Sequence, residues 1–265
     1  MTRTGERVDG GAVEAEWLEY GRGWSSVRAQ VIGEILLTIY VNGQEFASIM
    51  STPRDQAELA LGFLKNEGVL DRMEQVEMLI VNQDGCCVDV WLDRPVQRPQ
   101  REILTSGCGG GTTFHDPGEA LPPIEAEARI SPERLVELMG KLHGRESLHA
   151  RARGVHTAGL SDGREILALA EDVGRHNTID KLTGMCLLRN LPTAGLLLLT
   201  TGRISSEMLR KGARMGCPVI ASRNSPTSLA VTMAQAWNLT LVGYVRRATL
   251  RVYAHPERLG YRASS

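Results

Sequence analysis

The hydrophobic positions of residues 34–92 predict a small layer of strands with one helix. Apolar residues suit strands on both sides of Asn42-Gly43, a dipeptide that favours two-residue hairpin turns. A helix is expected to begin at Asp55 and to end at Gly68, because its apolar residues fall on one face. Two further strands are expected on either side of the turn at Asp84-Gly85.

Two stretches depart from this regular pattern. Residues 1–30 are interpreted as a poorly ordered arm, because glycines interrupt each possible element. Residues 104–125 are rich in Gly, Thr and Pro and are expected to form a long loop, which is typical of functional or mobile segments. After this loop, Ser131-Pro132 predicts the start of a helix, with a capping serine before a proline at the first helical position.

From residue 154 onward the pattern alternates between strands and helices. Strands at 154–160 and 165–170 are expected to meet in a hairpin at Asp162-Gly163. The continuously apolar residues 195–199 are typical of a central strand that is covered on both faces. The alternation predicts an α/β layer with a largely parallel core and helices packed on its faces, and we place two domains at residues 1–125 and 126–265. The later elements are predicted as helix 176–188, strand 195–200, helix 205–215, strand 218–222, helix 227–237 and strand 240–245.

Composition and charge narrow the functional classes. The chain is 42% hydrophobic and 23% charged, which is ordinary for a soluble globular protein. A formal net charge of -1 argues against general binding to nucleic acids or membrane surfaces, so any anion site must be local. We see no signal peptide in the first twenty residues and no apolar run that could span a bilayer. The five cysteines have no regular spacing and are expected to be reduced thiols in the cytoplasm.

Polar segments of similar composition follow four of the predicted strands, and we number these junctions one to four in chain order. They are residues 171–177, 201–206, 223–228 and 246–247. Three of them open a helix, whose free N–H groups and partial positive charge favour anions, and all four carry arginine, which binds phosphate in a bidentate manner. Capping alone could explain a single junction, but four junctions at one sheet edge predict a phosphate-rich ligand larger than a mononucleotide. His156 and His176 are expected to be neutral and to contact this ligand without acting in acid–base catalysis. The candidate residues at these junctions are His156, Arg175, His176, Arg203, Ser225, Thr227, Arg246 and Arg247.

The cysteines differ in their predicted surroundings. Cys186 shares the apolar stripe of a helix and Cys217 opens a buried strand, so both are expected to be core residues. Cys86 and Cys87 are expected in a strand, where adjacent side chains point to opposite faces and cannot form a metal site together.

Cys108 has different neighbours from the other thiols. It lies in Thr105-Ser-Gly-Cys-Gly-Gly-Gly-Thr112, where the glycines leave the thiol uncrowded. A thiol that exchanges sulfur with two partners needs such access. A Gly-rich loop can equally be a plain connector, so these residues alone leave a reactive Cys108 and a simple linker as alternatives.

Several segments together resemble one family, the formate dehydrogenase accessory sulfurtransferases, FdhD. The most specific of them is Glu171-Asp-Val-Gly-Arg-His-Asn-Thr-Ile-Asp-Lys181, and the resemblance extends over about residues 34–259. The other segments are Thr52-Pro-Arg-Asp, Leu61-Gly-Phe-Leu-Lys-Asn-Glu-Gly68, the Cys108 loop, Gly154-Val-His-Thr-Ala158, Thr201-Gly-Arg-Ile-Ser-Ser-Glu-Met208, Pro226-Thr-Ser-Leu-Ala230 and Val252-Tyr-Ala-His-Pro-Glu-Arg258.

The resemblance implies a sulfurtransferase that works through a cysteine persulfide. Such a protein takes sulfur from a cysteine desulfurase and passes it to the molybdenum of a bis(molybdopterin guanine dinucleotide) cofactor. This sulfur becomes the sulfido ligand that a formate dehydrogenase apoenzyme requires. The resemblance assigns the sulfur to Cys108 and implies a homodimer, no metal ligands in the protein, and a three-layer C-terminal half similar to the cytidine deaminase fold. It also implies that GDP-like ligands can occupy the cofactor site, which includes Tyr244, Val245, Arg246, Arg247, Ala248 and Thr249.

One position departs from the family pattern, and two other functions compete with sulfur transfer. Many members resemble Cys-x-x-Cys in the loop, whereas this chain has Gly111 at the second position, which leaves no partner for a disulfide within the loop. A zinc deaminase would need His-x-Glu and Pro-Cys-x-x-Cys, but the chain has His156-Thr157-Ala158 and no Cys-x-x-Cys. A chaperone that holds the cofactor without moving sulfur would leave Cys108 without a role.

Overall fold

Two larger sheets and the helices around them make up most of the chain. The structure, a computed structural model, describes residues 7–8, 10–99, 103–104, 112–114, 120–144 and 147–262. Within these ranges six α-helices accompany strands in four sheets, so the predicted mixed α/β class is confirmed. No helix in the described ranges combines the length and the apolar character needed to cross a membrane.

The N-terminal strands form a long hairpin. β1 (Arg7–Val8), β2 (Ala12–Tyr20) and β3 (Trp24–Ile32) make an antiparallel sheet in which β2 and β3 pair along their whole length. The prediction of a poorly ordered arm is therefore wrong for the described part of residues 1–30. Polar and apolar residues alternate along both long strands, and the glycines lie at the ends of this pattern, where the chain turns.

A four-stranded sheet with one helix follows the hairpin. Its strand order is β5-β4-β7-β6, in which β4 and β7 are parallel and the other neighbours are antiparallel. α1 covers one face with its apolar side, so the predicted helix and both predicted hairpins are confirmed. The elements are β4 (Ile35–Val41), β5 (Gln44–Ser51), α1 (Gln56–Asn66), a short 3₁₀ turn at Met73–Gln75, β6 (Val76–Val81) and β7 (Cys87–Leu92).

The segment between the two larger sheets contains short elements. β8 (Ile103–Leu104) and β9 (Thr112–Thr113) pair antiparallel inside residues 104–125, which were predicted to be loop throughout. α2 (Pro132–Gly140) begins as predicted, because the Ser131 side chain accepts a hydrogen bond from Arg134 N at 3.2 Å. α3 (Leu148–Ala152) was not predicted, since a single turn carries no periodic pattern.

The C-terminal half is built on a six-stranded sheet with the order β11-β10-β12-β13-β14-β15. Its central strands β12, β13 and β14 are parallel, which confirms the predicted parallel core, and β10 and β11 form the predicted antiparallel hairpin. β10 is also antiparallel to β12, and β15, which was not predicted, is antiparallel to β14. The elements are β10 (His156–Ser161), β11 (Ile166–Asp172), α4 (Arg175–Leu188), β12 (Leu197–Thr200), α5 (Ser206–Arg214), β13 (Val219–Ser222), α6 (Ser228–Ala236), β14 (Thr240–Arg246), β15 (Thr249–Ala254) and a 3₁₀ turn at Pro256–Leu259.

Helices cover both faces of this sheet. α4, α5 and α6 share one hydrophobic core with alternate strand residues such as Leu198 and Ile220. α2 packs on the other face, against residues such as Leu199 and Val219. The predicted three-layer α/β arrangement is therefore confirmed, while the likeness to the cytidine deaminase fold stays a prediction.

The two larger sheets are joined where α1 crosses α4. A Cβ atom on Gly62 would lie 1.7 Å from the carbonyl oxygen of Asp180, and one on Gly184 would lie 1.9 Å from that of Glu58. Only glycine allows two helix backbones to approach so closely. The division into two domains between residues 125 and 126 stays a prediction. Because α1 lies before this boundary and α4 after it, their crossing shows that the two parts are in tight contact.

Candidate functional site

Four strands end at one edge of the six-stranded sheet. β11 and β12 run in the same direction because each pairs antiparallel with β10, and β13 and β14 run parallel to β12. β10 and β15 begin at this same edge. The four junctions that carry the predicted anion-binding residues are therefore brought together, at the side of an open α/β sheet where ligands usually bind.

The first junction places His156 and Arg175 around Gly202. A Cβ atom on Gly202 would lie 2.9 Å from Cβ of Arg175 and 3.5 Å from Nδ1 of His156, so the three positions are in contact. Burial lowers the pKa of His156, and the positive charge of Arg175 lowers it further, so the imidazole is neutral at pH 7. Arg203 is exposed beside this group, and its charge acts on the pKa of His156 in the same direction.

His176 belongs to a buried polar group at the start of α4 and α5. Its Nε2 lies 3.4 Å from Ser205 Oγ and 3.7 Å from Glu207 Oε2, and the Ser205 hydroxyl donates to Glu207 at 2.6 Å. Burial lowers the pKa of His176 and outweighs the attraction of Glu207. The pKa of Glu207 falls to about 2, because the His176 side chain and the Ser205 hydroxyl stabilise its carboxylate. His176 therefore positions the helix start as a neutral group.

Hydrogen bonds tie the second and third junctions together. Thr157 N donates to Thr201 Oγ1 at 2.9 Å, and Asn224 Nδ2 donates to the Thr201 carbonyl at 3.1 Å. The Ser225 carbonyl accepts from Ile204 N at 3.1 Å. These contacts fix the loops after β12 and β13 relative to each other, so their exposed side chains present one surface.

Thr227 caps a helix, which is the simpler of the two roles predicted for it. Its Oγ1 accepts a hydrogen bond from Ala230 N at 3.3 Å and so caps α6. Thr227 N also donates to the Ile204 carbonyl at 2.9 Å. The structure thus uses Thr227 to hold the helix start in place, and a contact with a ligand stays a prediction.

The segment 244–249 is irregular, because β14 and β15 lose their regular pairing after Gly243. Tyr244 has a positive φ of 53°, and its N–H donates to the Asn224 carbonyl at 3.2 Å. The guanidinium of Arg251 lies 4.3 Å from the centre of the Tyr244 ring. A non-glycine residue in the left-handed region is uncommon, and such strain is found most often at functional sites.

Residues 245–249 line a cavity of about 650 Å³ on the α2 side of the sheet edge. Arg223 also lines it, and its Nη2 donates to the Met139 carbonyl at 3.0 Å. Burial lowers the pKa of Arg223, which stays charged because an arginine pKa starts so high. The cavity therefore brings together Arg223, Arg246 and Arg247, three cations from two junctions, in a space of the size that small-molecule ligands occupy.

A histidine pair beside Arg223 was missed in the sequence. The rings of His143 and His149 stack with their centres 4.0 Å apart. Burial lowers the pKa of His143 to about 4, with further contributions from the charges of Arg223, His149 and Arg153. No spacing rule could have found the pair, because α3 was not predicted and its packing alone brings the two rings together.

The segment 171–181, which carries most of the resemblance, is mainly structural. Asp172 forms a fully buried ion pair with Lys181 at 2.6 Å and accepts from Thr52 N at 3.1 Å. Asp180 pairs with Lys211 at 2.5 Å. Glu171 accepts hydrogen bonds from the first N–H groups of α3.

Cys108 and Gly111 lie outside the described residues, but the ends of their loop are placed. β8 and β9 pair antiparallel just before and after it, so the seven residues 105–111 connect two paired strands. Residues 104–125 are therefore not a single free loop as predicted. The sulfur-carrying role of Cys108 stays a prediction.

The base of this loop is fixed to the end of α1. Glu67 Oε2 accepts from Thr113 Oγ1 at 3.1 Å and from Phe114 N at 2.8 Å. The ring of Phe114 packs edge-on against Phe46 and Phe63, with ring centres 5.3 and 6.5 Å apart. The loop thus leaves and re-enters the body of the protein at a well-anchored position.

The predicted surroundings of the other four cysteines are confirmed for Cys186 and Cys217 but not for Cys86 and Cys87. Cys186 and Cys217 are buried core residues, and burial raises the pKa of Cys186 to about 11. The prediction that Cys86 and Cys87 point to opposite faces is wrong, because their Sγ atoms are 3.8 Å apart. Cys86 lies in the turn before β7, where side chains do not alternate.

The described ranges contain no group of three or more His, Cys, Asp or Glu residues arranged to hold a metal ion. His156, the histidine that a zinc deaminase would use, has Arg175 and Gly202 as its neighbours. Positive charge beside a ligand histidine disfavours a bound cation. The described part of the chain therefore offers the zinc deaminase alternative no metal site.

Three comparisons relate the chain to known proteins. The model of the FdhD/NarQ family matches residues 32–260. Proteins named sulfur carrier protein FdhD from Staphylococcus aureus (strain MRSA252) and Staphylococcus haemolyticus are each 34% identical to the chain, over 87% and 86% of it and 89% of their own length. A crystal structure of a protein assigned as a formate dehydrogenase accessory protein, from Desulfotalea psychrophila, superposes with a TM-score of 0.78 at 28% identity, over 94% of this chain and all of that one.

Proposed function

The chain belongs to the FdhD/NarQ family, and from this premise we propose that it is a sulfur carrier for formate dehydrogenase maturation. Its relatives are named sulfur carriers, and a structural neighbour is described as a formate dehydrogenase accessory protein. In this proposal Cys108 takes persulfide sulfur from a cysteine desulfurase. It then passes that sulfur to the molybdenum of a bound bis(molybdopterin guanine dinucleotide).

The observation that carries this proposal is the clustering of arginine at one sheet edge. Arg175 and Arg203 lie at the first two junctions, and the cavity beside α2 adds Arg223, Arg246 and Arg247. Five cations gathered from four junctions suit a ligand with several phosphates, because arginine binds phosphate through paired hydrogen bonds. A cofactor with two diphosphates is such a ligand.

The attachment of the Cys108 loop supports delivery of sulfur to that edge. The loop base is fixed at the end of α1, where Asn66 Nδ2 donates to Asp180 of α4 at 2.7 Å and the Asn66 carbonyl accepts from Arg214 of α5 at 3.0 Å. Asp180 is five residues from Arg175, which is about 7.5 Å along the helix axis. The loop base is therefore held beside α4, close to Arg175 at its start, and beside the C-terminal end of α5.

Thiol chemistry favours Cys108 over the described cysteines. The thiolate is the form that attacks a persulfide, and burial raises the pKa values of Cys186 and Cys217. The pKa of Cys87 is raised by burial and by its contact with Cys86. None of these four described cysteines is paired in a disulfide, which fits a reducing compartment such as the cytoplasm.

The test is mass spectrometry of the full chain after incubation with a cysteine desulfurase and cysteine. In this step the Cys108 thiolate attacks the terminal sulfur of the desulfurase persulfide, and the desulfurase thiolate leaves. We expect Cys108 to gain one sulfur atom and Cys108→Ala to gain none. Cys87→Ser is the control, because the Cys87 thiol is partly exposed, and this variant should gain sulfur normally.

The same variants separate sulfur transfer from simple cofactor holding. Cys108→Ala should keep its affinity for GDP, used here as a probe of the anion site, and should fail to restore formate dehydrogenase activity in cells that lack the wild-type protein. Full restoration by Cys108→Ala would favour a chaperone that holds the cofactor. Sulfur found on Cys86 or Cys87 with Cys108 bare would refute the assignment of the sulfur carrier.

A further inference from the structure

Cys86 and Cys87 form a pair of touching thiols in the turn between β6 and β7. Their Sγ atoms are 3.8 Å apart, and both residues are partly exposed. Adjacent residues of a regular strand would point to opposite faces. Here Gly85 has a positive φ of 66° and Cys86 lies before the start of β7, so both sulfur atoms come to one side. The sulfur atoms of a disulfide are about 2.05 Å apart, so a movement of about 1.8 Å would join the pair.

The turn itself holds the two thiols together. Asn82 Oδ1 accepts a hydrogen bond from Cys87 N at 2.9 Å, and Asn82 Nδ2 donates to Cys86 Sγ at 3.3 Å. The Gly85 carbonyl accepts from Gln56 Nε2 at 3.4 Å, which ties the turn to the first turn of α1. The contact between the sulfur atoms is therefore built into the fold and is not a chance meeting of two mobile side chains.

The two thiols differ in how readily they ionise. Burial raises the pKa of Cys87, and its hydrogen bond with Cys86 and the charges of Cys86 and Asp84 raise it further. Cys87 is therefore the second of the pair to lose its proton, and Cys86 attacks first. When Cys86 is held in a disulfide, its charge and its hydrogen bond no longer raise the pKa of Cys87. An attacking thiol beside a resolving thiol is typical of thiol–disulfide chemistry.

A metal ion suits this pair less well than a redox reaction does. Thiols must be deprotonated to bind a metal, and the raised pKa of Cys87 disfavours two thiolates side by side. Among the residues that the structure describes, no third His, Cys, Asp or Glu completes a metal-binding group with them. The pair is better suited to lose two electrons and close into a disulfide.

We propose that Cys86 and Cys87 form a second reactive site, which reduces small persulfides to hydrogen sulfide. The residues and the reaction go beyond the proposed function, but the substrate class rests on it, because sulfur transfer from a desulfurase brings persulfides to the chain. The Cys108 loop has Gly111 where many relatives resemble a second cysteine, so the loop has no dithiol of its own. The turn before β7 supplies one elsewhere in the chain.

The reaction is a two-step exchange of sulfur–sulfur bonds. The Cys86 thiolate attacks the inner sulfur of a persulfide R–S–SH, the S–SH bond breaks, and HS⁻ leaves, so Cys86 forms a mixed disulfide with R–S. Cys87 then gives up its proton and attacks Cys86 Sγ, and RS⁻ leaves and takes up that proton. The persulfide has gained two electrons and become a thiol and a sulfide, and the pair has lost two electrons and become a disulfide.

The product disulfide is easily reduced again. Adjacent Cα atoms are about 3.8 Å apart, below the roughly 4.4–6.8 Å that disulfides usually span, so the ring that joins two neighbouring cysteines is strained. Strained and exposed disulfides are the labile ones. A small thiol therefore returns the pair to its dithiol form, and the site turns over.

The test uses the full chain carrying Cys108→Ala, so that the proposed sulfur carrier does not contribute. The chain is reduced, freed of reductant and mixed with cysteine persulfide in the absence of oxygen. An electrode measures hydrogen sulfide, and mass spectrometry follows the peptide that contains Cys86 and Cys87. We expect about one hydrogen sulfide for each chain and a peptide that is lighter by two hydrogen atoms, and added thiol should restore its mass.

Single substitutions separate the two steps. In the same background Cys87→Ser should release sulfide and then stop, with R–S held on Cys86, because the resolving thiol is missing. Cys86→Ser should release no more sulfide than the persulfide does alone. Asn82→Ala should slow the reaction about five- to tenfold, the effect of one hydrogen bond, whereas Gln83→Ala, an exposed neighbour in the same turn, should not. Thermal melts check that each variant folds, and Cys86→Ala replaces Cys86→Ser if the latter does not.

Several results would overturn the proposal. Sulfide release that survives Cys86→Ser, or that is lost with Cys108→Ala, would place the reaction at another thiol. An extra sulfur atom that stays on Cys86 in the Cys87→Ser variant would show a carrier and not a reductant. Oxidation of the pair by hydrogen peroxide but not by persulfide would give it a different substrate. Failure of the proposed function looks different, because Cys108 would then gain no sulfur from the desulfurase while the pair still reduced cysteine persulfide.

Discussion

Gly184→Ala tests whether the crossing of α1 and α4 is as close as the structure has it. The added methyl group would lie 1.9 Å from the Glu58 carbonyl oxygen and 2.6 Å from its carbonyl carbon. Both atoms belong to the backbone of α1, so no side chain can move aside. The two helices must separate by about 1.5 Å before the contact becomes ordinary, and close-packed interiors resist such shifts.

The size of the effect follows from two opposing terms. Alanine improves helix propensity by about 1 kcal/mol over glycine. Overpacking costs about 1–3 kcal/mol, and more when backbone must move. The separation also disturbs Asp180, which pairs with Lys211 and accepts from Asn66 across the same crossing. We expect a net loss of about 3 kcal/mol, which lowers Tm by about 6–12 °C in a chain of this size.

Thermal unfolding followed by circular dichroism measures this loss. Gly140→Ala is the control, because it lies at the end of α2 with nothing within 4 Å of its added methyl group. That variant should keep or slightly raise Tm. If Gly184→Ala melts within about 2 °C of the wild type, less than one kcal/mol has been lost, and the helices are not in backbone contact.

Three further outcomes follow from burial and charge. Stability should fall as pH drops from about 6.5 towards 4, because the unfolded chain binds a proton that the half-buried His143 does not accept until about pH 4. His143→Gln should make the urea unfolding midpoint less dependent on pH between pH 7 and 5. Arg203→Ala and Arg247→Ala should each lower the affinity for GDP. Because salt screens arginine–phosphate contacts, the affinity of the wild type should fall towards that of the variants as the salt concentration rises. Unchanged affinity in both variants would contradict the placement of the anion site. Lys181→Met should cost about 3–5 kcal/mol in urea unfolding, because the Asp172 carboxylate is left buried without its cation, and a loss below 1 kcal/mol would show that this carboxylate reaches water.

Local signals predicted the elements that now form the sheet edge. The apolar run at β12, the helix caps at Ser131 and Thr227 and the Asn42-Gly43 turn depend only on neighbouring residues. The direction of the strands followed from their alternation with helices. That is why the four junctions could be placed together before the structure was known.

The features that were missed depend on packing or on turns. The alternating residues of the hairpin of β2 and β3 were overlooked, because glycines at its two ends suggested a break in the pattern. Cys86 and Cys87 were assigned to a strand, but the turn at Gly85 delays β7 by one residue and brings both sulfur atoms to one side. The cavity beside α2 and the stacked His143 and His149 exist only because helices dock on the sheet.

The segment 171–181 shows why a family signature is a poor guide to chemistry. Asp172, Asp180 and Lys181 are buried in ion pairs of the C-terminal half, and the two aspartates also accept hydrogen bonds from Thr52 and Asn66 of the other half. Substitutions there therefore remove stability first and function as a consequence. Arg175 and His176 are the two residues of this segment that the structure places at the candidate site. A loss of activity at any position of the segment therefore identifies a binding residue only when the melting temperature is unchanged.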